Sequence, residues 1–287
     1  MTTHSDNAYP IDTESGAEMA RLLDQDLIVT EAMGGLLPER GNDLAGIERV
    51  VDFGCGPGGW VQELAFANPQ VEVLGIDISK AMVAYGTQQA QVRGLENLRF
   101  RVADITKPLP LEDNTFDLVN TRTIAGFMTP GDWPALVQEA RRILRPGGIF
   151  RLTEAEWGFT NSGALEKLCF LTNQALHRAG KTLSPNGYYL GITPMLAPFL
   201  RSGGFVNVQQ QAHALNYSAG QKGNYGCYQD MRAMFPLLKP FFLQLRMFDS
   251  EEEFEQLYQR ALADMLADDF SCLGYALTVW GEKPEEA

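Results

Sequence analysis

Hydrophobic positions change their period along the chain, and each change marks a different kind of element. Over residues 14–39, Met19, Leu22, Leu23, Leu27 and Ile28 recur at helical spacings until Gly34-Gly35 interrupts them, which predicts one amphipathic helix ahead of the main fold. From Ile47 onward, short β-branched runs (RVVDF, VEVLGID, LRFRVAD, FDLVNT and GIFRLTE) alternate with helical stretches at 60–68, 80–93 and 133–144, the last ended by Arg145-Pro146-Gly147-Gly148. This alternation predicts five βα units by residue 154 and a doubly wound, mainly parallel sheet. After Glu156 it stops. Residues 161–180 read as a helix, followed by the turn-rich SPNGYYLG and a helix at 193–202; 205–217 and 270–281 then read as two long strands. The stretch between those strands is helical and aromatic-rich, too long and too patterned for a structureless loop, and predicts an inserted helical cap.

Composition narrows the class. The chain has 287 residues, 45% of them hydrophobic and 21% charged, which excludes disorder over most of its length. Its net charge of −13 and the lack of any Lys/Arg-rich run exclude nucleic acid as an expected partner. Cys55, Cys169, Cys227 and Cys272 lie far apart with no CxxC pair and no Cys/His cluster at metal-ligand spacing, so they read as buried or free thiols in a reducing compartment. The N-terminus lacks the basic and apolar regions of a signal peptide, and no apolar run approaches the roughly 18 residues that span a bilayer. The expectation is a cytoplasmic protein with no membrane partner.

Chemistry concentrates where the strands end. The first strand runs into Asp52-Phe53-Gly54-Cys55-Gly56-Pro57-Gly58-Gly59, whose missing side chains let a ligand approach the backbone before a helix N-terminus. Gly54, Gly56 and Gly59 satisfy GxGxxG, so the loop alone fits a dinucleotide or another adenosyl group. Asp77 closes the second strand, where a carboxylate accepts from ribose hydroxyls, with Ile78 beside it. Asp104 ends the third, placed to accept from an adenine amino group while Ile105 packs on the ring. Any one of these acids can be a turn or helix cap; three at successive strand ends beside a glycine loop form a site.

On these residues the sequence resembles the class I S-adenosylmethionine-dependent methyltransferases, small-molecule branch, similar to the quinone methyltransferases. The matching pieces are VVDFGCGPGG, GIDIS, VADI, FDLVNTR and LRPGGIF, and the final two strands fit the family's ending. The resemblance implies a Rossmann-like methyltransferase fold: a doubly wound seven-stranded α/β sheet with an N-terminal lid helix and helical cap insertions. Its parts are expected at 1–45 (lid), 46–157 (cofactor-binding core), 158–193 (cap), 194–217 (core helix and sixth strand), 218–268 (helical insertion over the substrate) and 269–287 (final antiparallel strand and tail). It also implies S-adenosylmethionine as cofactor, with Gly54, Cys55 and Gly56 near its methionine part and Asp52 orienting the loop. Asp77 and Ile78 would hold the ribose, Asp104 and Ile105 the adenine, and the backbone near Thr121 the amino group.

For the acceptor, the chain reads Asn120-Thr121-Arg122-Thr123 where amino-methylating nucleic-acid and glutamine enzymes carry Asn/Asp-Pro-Pro-aromatic, which excludes that branch. No Asp/Asn cluster marks a metal-dependent enzyme, so metal-independent chemistry is expected. Aromatics crowd the cap regions; Trp157, Tyr188, Tyr189, Tyr225 and Tyr228 are the candidates to line a pocket for a hydrophobic, ring-containing small molecule, although such stripes are as often core. Glu154 and Glu156 at the end of the fifth strand are the candidate acid/base groups, with His177 a third, against the plainer readings of salt bridge, cap or solvated histidine. Arg122 can hold a carboxylate, a salt bridge to a helix being the plainer reading. Two alternatives stay open: an S-adenosylmethionine-binding scaffold that does not transfer methyl, such as a cyclase, and an NAD-dependent oxidoreductase, which leaves Asp104 unexplained. The aromatic cap can also serve a homodimer contact.

Overall fold

The structure, a computed structural model, describes residues 10–11 and 15–285. Residue 14, the expected start of the first helix, lies outside them. Helix α1 (Gly16–Met33) ends at Gly34 in the left-handed conformation, and a 3₁₀ turn (Pro38–Arg40) leads into the sheet. The strands are β1 (Arg49–Phe53), β2 (Glu72–Asp77), β3 (Leu98–Val102), β4 (Phe116–Arg122), β5 (Leu144–Thr160), β6 (Val206–Asn216) and β7 (Cys272–Glu282). Their order is β3-β2-β1-β4-β5-β7-β6, with β7 antiparallel to both neighbours and the first five strands parallel.

Period-two alternation divides the buried side chains between the two faces. Val51 and Phe53 pack with Trp133, Leu136 and Ala140 of α4 (Asp132–Ile143) and Leu196 and Leu200 of α6 (Leu196–Ser202). Val50, Val73 and Leu118 face Trp60, Val61 and Leu64 of α2 (Gly59–Ala67) and Ala90 of α3 (Lys80–Val92). A third apolar cluster joins α5 (Gly163–Arg178), α7 (Asn224–Gln244) and α8 (Glu251–Met265) through Leu165, Leu168, Phe235, Phe242 and Phe254. Among the described residues no helix is long and apolar enough to cross a membrane.

Three expectations change. The connection 103–115 between β3 and β4 contains no helix, because Pro108 and Pro110 remove two backbone donors and fix the chain as turns; there are not five complete βα units. β5 runs on from the expected 148–154 to Thr160, since β7 pairs with it as far as Thr160 opposite Cys272. On α1 the apolar stripe is only part of the inner face: Leu22 and Ile28 turn inward, Ile28 against Gly226 of α7, but Leu27 is 57% exposed, whereas Glu18 and Arg21 are buried. Arg21 is held between Glu18 (2.7 Å) and Asp230 of α7 (2.6 Å), and Gln25 also donates to Asp230.

Beneath the glycine loop runs a buried polar chain. Arg151 on β5 donates to Glu39 (2.6 Å) and to Asn120 (2.7 Å), and Asn120 donates to Asp52 (2.7 Å). The Arg151 and Glu39 side chains are 1% and 2% exposed. Removing one partner of such a pair strands the other charge in a low-dielectric interior. Arg151→Met should therefore lower unfolding stability in urea by about 3–5 kcal/mol, and Glu39→Met in the same chain should recover more than half of that loss. A loss below about 1 kcal/mol in the single variant would show that the pair does not hold the sheet.

Candidate active site

The carboxyl ends of β1 to β5 and the inner face of α1 enclose a cavity of about 530 Å³. Its floor is the glycine loop. Gly56 has φ +54°, and a Cβ there would point into open space toward Leu22 of α1, 3.9 Å away, so the bare backbone forms a cradle that a side chain would fill. The loop is backed by Phe100, whose ring lies so close to Gly58 and Gly75 that a Cβ on either would come within 2.5 and 2.9 Å of it.

Each strand-end acid serves the local backbone and the cavity together. Asp77 accepts from the Gly56 N–H (2.9 Å) through one oxygen and from the Ser79 N–H (2.8 Å) through the other; burial raises its pKa, and these backbone donors oppose the rise. Asp104 uses Oδ1 for both the N–H and the hydroxyl of Thr106. Asp52 is pushed up to about 7 by burial, against the Asn120 hydrogen bond and the Arg151 charge. Asp52, Gly54, Cys55, Gly56, Asp77, Ile78, Asp104 and Ile105 all line the cavity. Thr121 does not: it is fully buried, and its hydroxyl donates to the Phe53 carbonyl. This set fits an adenosyl group, with carboxylates for its hydroxyl and amino donors and isoleucines for its flat faces.

In the same cavity, Arg122 pairs with Asp26 and donates to Thr30 (2.9 Å), both on α1. The Asp26 carboxylate lies against Gly59, the first residue of α2, where a Cβ would come within 2.8 Å of it. Glu154 is buried at the cavity wall and accepts from the Ile124 N–H (2.8 Å); burial pushes its carboxyl up to about 8. Glu156 instead brackets a loop, accepting from the N–H groups of Leu190 (2.8 Å), Ile192 (3.1 Å) and Thr193 (3.5 Å), with burial raising its pKa.

A second cavity of about 150 Å³ adjoins the first; Gln25, Val29, Thr123, Ala155 and Leu215 line both. Trp157 and Glu156 are in its wall. The other aromatic candidates are not: Tyr188, Tyr189 and Tyr225 are 58%, 59% and 64% exposed, and with Tyr228 they line neither cavity. They stack outside it, Tyr188 on Phe170 and Tyr225 on Tyr228. His177 is also remote from both cavities, its Nδ1 bonded to the Thr182 hydroxyl (2.8 Å) at the end of α5.

The structure adds residues that the sequence reading passed over. Gln25, Asp26 and Val29 reach the first cavity from α1 beside Leu22 of the apolar stripe; their spacing of three and four marks one helical face, a signal obscured by its polar members. Cys169, Cys227 and Cys272 come together in the wall of the second cavity from α5, α7 and β7. Among the described residues no three His, Cys, Asp or Glu side chains gather closely enough to hold a metal ion, so these thiols line the wall without forming a metal site.

Similarity to known proteins agrees with this geometry. A methyltransferase domain family model matches residues 46–214. Demethylmenaquinone methyltransferase of Geobacillus kaustophilus is 36% identical over 104 residues, 36% of this chain and 43% of that protein, so the chain matches less than half the length of this curated relative. Among solved structures, the YcgJ protein of Bacillus subtilis superposes with a TM-score of 0.55 at 19% identity, covering 89% of this chain and 99% of that one. The [4+2]-cyclase SpnF gives 0.50 at 21% identity, covering 96% and 97%; identities this low speak to the fold alone. With more than half of the chain under the family model, and the glycine loop and strand-end acids around one cavity, this chain belongs to the methyltransferase domain family, whose methyl donor is S-adenosylmethionine.

Proposed function

We propose that this protein transfers a methyl group from S-adenosylmethionine to a hydrophobic, ring-containing small molecule, without a metal ion. The reading rests on one observation: the cavity that gathers the glycine loop, Asp77 and Asp104 shares a wall with a smaller cavity lined by apolar and sulfur-bearing side chains. A donor and an acceptor seated in the two would meet at that wall.

When bound, S-adenosylmethionine supplies a methyl carbon made electrophilic by the adjoining sulfonium. Asp77 and Asp104 would hold the adenosyl hydroxyl and amino donors, Ile78 and Ile105 would supply apolar contact beside them, and Asp26 and Arg122 would hold the amino-acid end. Helix α1 covers the cavity and excludes water, so alignment of the acceptor and a dry environment supply most of the acceleration. Glu154 takes the acceptor's proton. Glu156 is a positioning residue, since its carboxylate is committed to the backbone of the loop at 190–193. The nicotinamide reading is set aside, because the methyltransferase domain family model spans the stretch that carries the glycine loop and the strand-end acids. A scaffold that binds the donor without methyl turnover remains as the second reading, favoured by the fold shared with the cyclase SpnF.

Calorimetry with S-adenosylmethionine, S-adenosylhomocysteine and NADH separates these readings. Micromolar binding of the adenosyl sulfur compounds alone is expected, and labelled methyl appearing in a small-molecule acceptor distinguishes transfer from binding. NADH binding alone would overturn the proposal. Replacing Asp77 with alanine removes a charge-assisted contact and should weaken S-adenosylhomocysteine by about 1.5–3 kcal/mol, roughly ten- to a hundredfold, in a chain that still unfolds cooperatively.

The raised Glu154 carboxyl gives a pH test of its role. Only its carboxylate can accept a proton, so kcat should rise about tenfold per pH unit below about 8 and level off above it, while Glu154→Gln should be slow and flat. The linked stability has the opposite sign. A folded-state value of about 8 against an ordinary 4.5 means that the group's contribution is complete below 4.5 and is lost as pH rises through 8, and Glu154→Gln should remove that slope from urea melts. A pH–rate profile with no inflection near 8 would assign the base elsewhere.

A further inference from the structure

Five residues, Gln25, Val29, Thr123, Ala155 and Leu215, line both cavities and so form the seam between them. A methyl group passing from donor to acceptor has to cross there. Val29, Ala155 and Leu215 are apolar, which leaves Gln25 and Thr123 as the seam's polar side chains. Thr123 is the first residue after β4 and has φ +53°, a left-handed conformation that β-branched residues rarely adopt. It is held there from both sides. Arg122 is tied to Asp26 and Thr30, the Thr123 N–H donates to the Thr153 carbonyl (2.9 Å), and the Ile124 N–H donates to Glu154 (2.8 Å). Its side chain is exposed, and its hydroxyl has no partner among the described residues. Backbone strain that the surroundings over-determine in this way gathers at ligand sites, and a glycine at the same position would be free of it.

Gln25 is oriented from its other end. Its Nε2 donates to Asp230 (3.2 Å), and because a carboxylate only accepts, the amide cannot turn over and its carbonyl Oε1 faces away from Asp230. Asp230 is fixed in turn by Arg21, and Arg21 by Glu18. The Gln25 Oε1 has no partner among the described residues and is not closed off from solvent. The seam therefore presents one carbonyl, which only accepts, and one hydroxyl, which does either. Beyond it, the second cavity is walled by Glu156 and Asp230 and by no lysine, arginine or histidine among the described residues, so a phenolate, enolate or carboxylate would meet no counter-charge. Glu154, in the wall of the first cavity, directly precedes Ala155 of the seam. A hydroxyl acceptor would give its only hydrogen to that base and then turn lone pairs toward the Gln25 carbonyl. A nitrogen with two hydrogens serves both.

From this arrangement we infer that the acceptor's reacting atom is an amine nitrogen, held at the seam by the Gln25 carbonyl and the Thr123 hydroxyl. The inference deepens the methyl-transfer reading and rests on it for the role of Glu154. In the step, the nitrogen lone pair forms the N–C bond as the C–S bond breaks, the C–S electron pair stays on sulfur to leave a neutral thioether, and one N–H proton passes to the Glu154 carboxylate. The second N–H stays on the Gln25 carbonyl.

The test is equilibrium binding of benzylamine, benzyl alcohol, toluene and benzoate to the purified chain saturated with S-adenosylhomocysteine, followed by transfer of labelled methyl from S-adenosylmethionine. Benzylamine should bind about tenfold tighter than benzyl alcohol, benzoate should bind weakest, and the label should appear on the benzylamine nitrogen. Thr123→Val keeps the branched shape without the hydroxyl, and Gln25→Met keeps the length without the carbonyl. Each should weaken benzylamine about tenfold, the scale of one hydrogen bond, while toluene and S-adenosylhomocysteine change less than about twofold and Thr123→Ser restores binding. Thr123→Gly separates a binding role from a structural one: it should unfold at an equal or higher temperature, since the left-handed backbone suits glycine, yet bind benzylamine as weakly as Thr123→Val. No binding of benzylamine, equal or tighter binding of benzyl alcohol or benzoate, equal losses for benzylamine and toluene in Thr123→Val, or a lower unfolding temperature for Thr123→Gly would each overturn the inference. Failure of the methyl-transfer reading looks different: S-adenosylhomocysteine would not bind, or no label would leave the donor, while the preference for the amine and its loss in Thr123→Val stand.

Discussion

One buried cation, the Arg151 guanidinium, sets the terms for much of this structure. An ion in the middle of a sheet must be paired and hydrogen-bonded, or it unfolds its surroundings. Here the counter-ion, Glu39, comes from the turn that precedes β1, and the remaining donor goes to Asn120 on the neighbouring strand. Satisfying Arg151 therefore fixes the N-terminal segment over the sheet and holds β4 and β5 in register. The chain continues through Asn120 to Asp52, directly before the glycine loop, so the loop's start is positioned by a charge two strands away. The same cation acts on the cavity electrostatically. It opposes the burial that pushes Asp52 up, and after burial itself it is the next cause pulling Arg122 down.

Charge also fastens helix α1. Helix α1 meets α7 through the Glu18–Arg21–Asp230 cluster and meets β4 through Asp26 and Arg122, with Gln25 and Thr30 as further polar contacts. A helix held by a broad apolar face exposes that whole area to water when it separates. Ion pairs behave differently, because each partner regains hydration that offsets much of the lost attraction. Helix α1 is thus tied to the rest of the fold largely by polar contacts, with Val29 and Met33 adding an apolar contact to Leu215 and Ala276. It also carries the polar side chains of Gln25 and Asp26 into the first cavity.

These features explain what could and could not be seen in the sequence. The glycine loop, the acids at positions 52, 77 and 104 and the parallel strands were legible because each is written in a few adjacent residues. The inner face of α1 was legible only in part, because reading burial from apolar spacing finds Leu22 and Ile28 but also assigns Leu27 to the interior and leaves Glu18 and Arg21 in water, which the fold reverses. Arg21 and Asp230 are 209 positions apart, and no local pattern pairs them. Cys169, Cys227 and Cys272 share one wall for the same reason: their spacing is uninformative until α5, α7 and β7 pack. The aromatic candidates failed in the other direction. Aromatic crowding in the inserted segments points to Tyr188, Tyr189 and Tyr225 as pocket, yet Tyr188 and Tyr225 stack on neighbouring rings at the surface, and of the five aromatic candidates Trp157 alone is in a cavity wall.

The strand-end acids show why a plain structural role and a functional one are poor alternatives. Asp104 caps its own turn with Oδ1 and still lines the cavity, so the local hydrogen bonds orient the carboxylate without occupying both oxygens. Asp77 goes further. By accepting from the Gly56 N–H it shapes the glycine loop from the next strand, so the acid expected to hold a ribose also helps hold the cradle beside it. Two motif pieces that look independent along the chain are therefore one unit in space, joined by a hydrogen bond that neither could make alone. A glycine loop with a different residue at position 77 would lose a contact within the loop before any ligand arrived. That coupling is the physical reason the combination carries more meaning than its parts, and why the loop by itself does not identify the cofactor.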